Sequence, residues 1–345
     1  MQGLHIAQLG TPPSPVLAAP AEASAFGFGA IVGRSRVLRD AVKLAKRMGA
    51  SRTTVLLVGA TGSGKELFAR GIHYDGVTAS DPFVAVNCAA IPEMLLESEL
   101  FGQEGHRPGL VELAGRGTLF LDEVSATPST LQPKLLRLLE GGRFRRLGGA
   151  DEVEVGCRIV AASNVSLEEA VARGEFREDL FYRLNVFRLN LPRLRERDED
   201  IELLARHFLQ RLADEQGTEP LRLSTDAVAA LHVHAWPGNV RELKNVVERA
   251  AMLCEGRTIA AEHLMIQRRT SLPAGAGGAA YGAEIRIPPE GKPLAEIERE
   301  AVLLTLRMMR GNQSAAARVL GISRPTLARK LRQEEDAAPA ADAAE

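Results

Sequence analysis

The sequence predicts an α/β fold in three parts: a parallel sheet with helices on both faces, an all-helical lid, and a C-terminal helix-turn-helix domain. Three observations carry this reading. First, short apolar runs ("TTVLLVG", "PFVAVNC", "GTLFLDE", "CRIVAASN", "VFRLNLP") alternate with stretches of helical period, the pattern of a sheet covered on both sides. Second, the strand signal stops after Pro192 while the helical period continues. Third, "GNQSAAARVLGISRPTLARKLRQ" holds two short helical stretches around a glycine.

Composition bounds the answer. A chain of 345 residues accommodates about two or three domains. At 45% hydrophobic and 25% charged residues it buries an ordinary core, and with 4% aromatics that core is built of Leu, Val, Ile and Ala. Lys plus Arg is 43 against 44 for Asp plus Glu, so whole-chain charge does not select a polyanionic partner. Cys88, Cys157 and Cys254 are too far apart for a metal knuckle, and the expectation is reduced, buried thiols. No run reaches the ~18 apolar residues of a membrane span, and the N-terminus lacks the order of a signal peptide. A cytoplasmic protein without membrane contact is expected.

Taken in order, residues 1–27 ("GTPPSPVLAAPAEASAFG" among them) read as a flexible leader, too short for a sensory domain. Residues 28–192 form the α/β nucleotide-binding part, beginning with a helix whose spacing is set by Val37, Leu38, Ala41, Val42 and Ala45. Residues 193–267 form the lid, with Ser224 capping one helix and Gly217 and Gly256 following two others. Residues 268–293 are a Gly/Ala/Pro-rich linker, 294–333 the helix-turn-helix domain, and 334–345 a disordered acidic tail.

The chemistry begins at "VLLVGATGSGKE". Gly59, Ala60, Thr61, Gly62, Ser63, Gly64 and Lys65 follow a strand and open a helix, matching a phosphate-binding loop in its confirming context. Glycines let backbone N–H groups close around phosphate oxygens, the helix N-terminus adds positive potential, and Lys65 supplies full charge. Glu66 stands where a Mg²⁺-binding hydroxyl is usual. "GTLFLDE" then ends a strand in Asp122, suited to hold Mg²⁺, and Glu123, suited to activate water. ATP and Mg²⁺ are the expected cofactors.

From about residue 31 to 266 the chain resembles the AAA+ domain of bacterial enhancer-binding proteins, the sigma-54-dependent activators. The resemblance rests on "VNCAAIPEMLLESELFG", "LDEVSATPSTLQPKLLRLLEGGRFRRLGG", "RIVAASN", "FREDLFYRLNVFRLNLPRLRER" and "WPGNVRELKNVVERA", in that order. It implies that a Lys-Glu pair closing the glycine loop is a family trait. It further implies Asn87 as a switch restraining Glu123, and Ser163 and Asn164 at the first sensor. Arg177 and Arg183 become arginine fingers reaching a neighbouring subunit, and Arg241 the second sensor, on the lid. His232 and His234 ("LHVHAW") are better read as one packed and one solvated histidine than as a metal site.

Between Ala301 and Gln333 there are seven basic residues and no acidic one. Gly321 ends the first helix of this stretch, Ser323 caps the second and Pro325 sits in its first turn. Ala316, Leu320, Ile322, Leu327 and Leu331 form the apolar face. The unit resembles the Fis-type helix-turn-helix, which implies Arg324, Thr326, Arg329 and Lys330 as the DNA-facing residues and a palindromic double-stranded site.

One segment departs from the family. A GAFTGA loop, which contacts sigma-54 in enhancer-binding proteins, follows their equivalent of "ELFGQE" (Glu99 to Glu104); here "GHRPG" runs directly into "LVELAGRGTLFLDE". The expectation is a transcriptional regulator whose ATPase assembles as a homo-oligomer, from dimer to hexameric ring. It would engage RNA polymerase of an undetermined sigma class without remodelling the sigma-54 form. Two alternatives stand beside it: ATP as a structural ligand without turnover, and modulation of a full-length relative through mixed oligomers.

Overall fold

The computed structural model describes residues 27–105, 107–266, 292–308 and 313–335. Nearly all of the expected leader and linker, and residues 336–345 of the expected tail, lie outside these. The chain divides into two compact units, 1–268 and 269–345.

The first unit opens with α1 (Arg36–Gly49), which buries Leu38, Ala41, Ala45 and Met48 along one stripe. There follow β1 (Val55–Val58), α2 (Lys65–Tyr74), β2 (Phe83–Asn87), α3 (Glu93–Phe101), α4 (Leu110–Ala114) and β3 (Thr118–Asp122). Next come α5 (Gln132–Gly141), β4 (Arg143–Arg145), β5 (Glu152–Glu154), β6 (Arg158–Ser163), α6 (Leu167–Ala172), α7 (Glu178–Leu184) and β7 (Phe187–Asn190). The main sheet runs β2-β3-β6-β1-β7, and every pairing in it is parallel.

Both faces of this sheet are buried, as strand alternation demands. Leu56, Val86, Leu119, Leu121, Ile159 and Ala161 join one core, whereas Val55, Leu57, Phe83, Phe120, Val160 and Ala162 join the other. The β4–β5 pair is an antiparallel hairpin outside the main sheet, tied by Arg143–Glu154 and Arg145–Glu152 ion pairs. Each strand alternates charged and apolar residues over three positions (Arg-Phe-Arg and Glu-Val-Glu, with Phe144 buried), too short a run for its period to stand out.

The lid consists of α8 (Ile201–Gln216), β8 (Arg222–Leu223), α9 (Thr225–Val233), α10 (Asn239–Leu253), β9 (Thr258–Ile259) and α11 (Ala261–Leu264). Ser224 Oγ accepts from Ala227 N at 3.3 Å, capping α9 as its position suggested. β8 and β9 form a two-residue parallel pair, a qualification to a lid read as purely helical. Two residues are too few to show a period. The lid closes on its own core around Trp236, with Leu204, Leu231, Leu243 and Val247.

The second unit holds α12 (Leu294–Met308), α13 (Gln313–Val319) and α14 (Arg324–Glu335). Val302, Ala316, Ala317 and Leu327 form its core, with Leu306, Leu320 and Ile322 packed against it. The side chain of Leu331 lies outside the described residues. Gly321 takes φ +67°, a left-handed turn between α13 and α14 that favours glycine. α14 runs on to Glu335, so the first two residues of the expected tail are helical.

Candidate functional site

The parallel sheet delivers its strand ends to one edge. Asn87 lies directly beside Asp122 in the β2–β3 register, and Val58 beside Ser163 in the β1–β6 register. Chains leaving this edge turn into loops, so it is where a ligand meets side chains from several strands. The loop after β1 turns with Gly62 at φ +76° and Gly64 at φ +100°. Glycine alone adopts both at little cost, and such alternation points successive N–H groups to one side.

Lys65, at the first position of α2, is buried and donates from Nζ to the Gly59 carbonyl at 2.9 Å. Burial lowers its pKa, and the nearby negative charges of Asp122 and Glu123 oppose that shift. Burial raises the pKa of Asp122, with the Lys65 ammonium opposing. Lys65 and Asp122 therefore sit within one electrostatic site. Glu66 is paired with Arg70 one turn along α2.

Glu123 has φ +53°. A non-glycine residue there is strained, and such strain clusters at working sites. Its N–H donates to Asp122 Oδ1 at 3.1 Å, but its carboxylate makes no hydrogen bond or ion pair among the described residues. Asn87 Oδ1 instead accepts from Ala89 N and Ala90 N at 2.9 and 3.1 Å. Thus Asn87 caps its own turn and does not engage Glu123.

Ser163 donates from Oγ to the Val165 carbonyl at 2.7 Å, and Gly59 N donates to the Ser163 carbonyl at 3.2 Å. Asn164 donates from Nδ2 to Thr61 Oγ1 at 3.2 Å, tying the end of β6 to the glycine loop. Arg241 lies in the first turn of α10; a Cβ built on Gly62 would come 3.0 Å from its Cβ. Arg177 and Arg183 are exposed on the α7 segment, and among the described residues neither hydrogen-bonds to the loop. Arg177 is bound through Nε and Nη2 by Asp179 at 3.0 and 2.7 Å, and Arg183 Nε donates to the Leu139 carbonyl at 3.1 Å.

Three lid residues at this site were not singled out by sequence. Asn239, with φ +53°, donates from Nδ2 to the Thr61 carbonyl at 3.0 Å and accepts from Leu194 N on Oδ1 at 2.9 Å. Buried Arg197 donates from Nη2 to the Ser63 carbonyl at 3.4 Å. Asp200, fully buried, accepts from Arg34 N, Ser35 N and Ser35 Oγ at 2.6, 2.9 and 2.7 Å, anchoring the start of the lid to the start of α1. The only hint in the sequence is "GNVREL", with Asn239 at a helix entry where its side chain can reach backbone.

A Mg²⁺ ion fits the donor set in one way. Asp122 offers a carboxylate beside Lys65, and no group of three or more His, Cys, Asp or Glu able to hold a metal occurs among the described residues. Mg²⁺ characteristically takes one or two carboxylates, substrate phosphates and water, so a lone aspartate suffices for it. His232 Nδ1 lies 2.8 Å from Asp198 Oδ1, while His234 packs edge-on against Trp236. Cys88 is buried, with its thiol pushed up to about 11; Cys157 and Cys254 are half-buried, so the expectation of three buried thiols holds only for Cys88.

In the second unit Arg324 and Arg329 are exposed at the start and middle of α14. Thr326 N donates to Ser323 Oγ at 3.3 Å, with the two hydroxyls 2.7 Å apart. Lys330 pairs with Glu298 of α12 at 2.8 Å, a contact not anticipated because Glu298 precedes the acid-free stretch. No helix among the described residues is long and apolar enough to cross a membrane.

Comparison with known proteins follows the same division. The family described as the Sigma-54 interaction domain matches residues 31–190, the AAA+ ATPase lid domain 195–276, and the Fis family of bacterial regulatory proteins 293–333. The chain is 42% identical over 323 residues to the regulatory protein AtoC of Escherichia coli (strain K12), covering 90% of this chain and 68% of that one. It is 43% identical over 311 residues to the nitrogen fixation protein VnfA of Azotobacter vinelandii, covering 87% and 58%. Among solved structures, NtrX from Brucella abortus in complex with ATP superposes with TM-score 0.66 at 36% identity, over 88% of this chain and 68% of that one. With three family matches in chain order and relatives this similar along most of its length, the chain belongs to the NtrC-type family of sigma-54-dependent transcription regulators, with an AAA+ domain, its lid and a Fis-type helix-turn-helix.

Proposed function

We propose that this protein is an ATP-hydrolysing, DNA-binding regulator of transcription that does not open promoters for sigma-54 polymerase. One observation carries the second half. Between α3 and α4 the chain returns on itself at Gly102 and Gly109: a Cβ on Gly109 would lie 2.4 Å from the Gly102 nitrogen. The joint between them is further pinned. Glu104 N donates to the Leu147 carbonyl and Leu147 N to the Gly102 carbonyl, both at 3.0 Å. His106 lies outside the described residues. Only the six residues 103–108, QEGHRP, join these two glycines, and they contain no GAFTGA.

The first half follows from the site. Lys65 and the N–H groups of the glycine loop bind and orient phosphates, Asp122 would hold Mg²⁺, and Glu123 would take a proton from the attacking water. When bound, Mg²⁺ neutralises charge on the phosphate oxygens. Arg177 and Arg183, remote from their own loop, would complete the site of a neighbouring subunit. Arg324 and Arg329 on α14 would face a DNA major groove.

The test is in vitro transcription from a sigma-54 promoter placed beside the protein's own mapped DNA site. No ATP-dependent transcript is expected from the unmodified protein, and transcript is expected after GAFTGA is inserted between Glu104 and Gly105. ATP-dependent transcript from the unmodified protein refutes the proposal. The pairing of Arg177 with Asp179 favours a second reading, in which ATP is a structural ligand and the finger stays parked; mixing subunits that lack a finger with subunits that lack Lys65 separates the two.

A further inference from the structure

The phosphate loop has two faces, and the lid occupies one of them. A trans peptide sets its N–H and C=O in opposite directions, so a loop that turns N–H groups toward a phosphate turns carbonyls away from it. Here three successive carbonyls are all taken by the lid. Thr61 O accepts from Asn239 Nδ2 at 3.0 Å, Gly62 O from the Val240 N–H at 3.0 Å, and Ser63 O from Arg197 Nη2 at 3.4 Å. The fit is close: a Cβ on Gly62 would lie 2.3 Å from the Gly238 carbonyl. Glycine is therefore required at position 62 by the lid as well as by its positive φ.

Two further features mark this contact as more than packing. Asn239 joins the loop to the lid's entry, because its Oδ1 holds Leu194 N while its Nδ2 holds Thr61 O. The Arg197 bond is long, and among the described residues both Arg197 Nε and Ser63 Oγ are buried without a hydrogen-bond partner.

We propose that Asn239 and Arg197 are positioning residues that hold the outward carbonyls of the phosphate loop, so that nucleotide on its inner face and lid placement on its outer face are linked through one turn. The proposal rests on nucleotide binding at this loop, as argued above. Linkage is reciprocal: what the lid does to nucleotide affinity, nucleotide does to the lid. Arg241 belongs to the nucleotide itself in the family reading, whereas Asn239 and Arg197 act from behind the loop.

The experiment uses the full chain, with Asn239→Gly as the principal variant because glycine tolerates the left-handed backbone at that position. ATP and ADP affinity are measured together with amide hydrogen exchange, with and without nucleotide. The variant is expected to bind both nucleotides roughly five- to tenfold more weakly, the effect of losing the Asn239 hydrogen bond to the loop. In the unsubstituted chain, nucleotide should slow exchange both in the loop (residues 62–67) and in the first turn of α10 (240–244). In the variant only the loop should still slow. Unchanged affinity together with unchanged protection of 240–244 overturns the proposal. Should Asn239→Gly fail to fold, Arg197→Lys, which keeps the charge and loses the planar fork, decides by the same two readouts. A chain that binds nucleotide no better than its Lys65→Ala variant overturns the nucleotide reading itself, a result distinct from retained binding without lid protection.

Discussion

At the scale of single residues the site divides its labour. Lys65 is a buried cation at the glycine loop and Glu123 a carboxylate held by a strained backbone with no partner among the described residues. Lys65→Ala is expected to abolish ATP binding measured by fluorescent-nucleotide titration, whereas Glu123→Gln should bind ATP within about twofold of wild type and lose turnover by a factor of about 100 or more. Equal affinity of Lys65→Ala and wild type would contradict the assignment. A second residue reports on stability. His73 is fully buried against Thr118, with its pKa pushed down to about 4 by burial. Its neutral form is the folded one, so its contribution is complete above the unfolded value of about 6.5 and is lost as pH falls toward 4. Over that window the loss amounts to about 3 kcal/mol at most. The stability difference between wild type and His73→Asn, from urea unfolding at pH 7, 5.5 and 4.5, should shrink with acid; a pH-independent difference would count against it.

At the scale of elements, α14 exposes Arg324 and Arg329 among its described side chains while Lys330 is occupied by Glu298 of α12. Arg329→Ala should therefore weaken DNA binding more than Lys330→Ala and lower the salt slope by about one. Lys330→Ala also removes the partner of Glu298, so its larger effect should be on stability. Gel-shift titrations with the protein's upstream region at several salt concentrations check the order; a larger affinity loss for Lys330→Ala would reverse the assignment.

At the scale of the whole molecule the question is whether one chain holds a complete catalytic site. Arg183 is exposed and spends its Nε on the Leu139 carbonyl, so the arginine-finger reading looks to a neighbour. ATPase rate should rise faster than linearly with protein concentration. Arg183→Ala should lower it by roughly a thousandfold or more if the finger acts in trans. Mixing Arg183→Ala subunits, which keep Lys65, with Lys65→Ala subunits, which keep Arg183, should restore a measurable fraction of activity. A mixture as inactive as its parts, with a flat zero for wild type, favours the structural-ligand reading.

The sequence by itself determined the fold class, because alternating apolar runs leave a five-stranded parallel sheet little choice but to be covered on both faces. It also determined the glycine loop, the Asp-Glu strand end and the capped second helix of the DNA unit, since each is local chemistry within a few residues of chain. The missing loop between Glu104 and Leu110 was legible for the same reason: it is a matter of length. Only the tertiary structure decided the rest. The β4–β5 hairpin has three residues per strand, too few for their charged-apolar alternation to stand out, and Lys330 meets an acid 32 residues away in the chain. Asn87 turned out to cap its own turn, a choice between equally reachable partners that spacing does not make. Above all, the grip of Asn239 and Arg197 on Thr61 and Ser63 joins residues 178 and 134 positions apart. Their partners are backbone carbonyls, which carry no side-chain signature, so no motif can announce such a contact before the chain has folded.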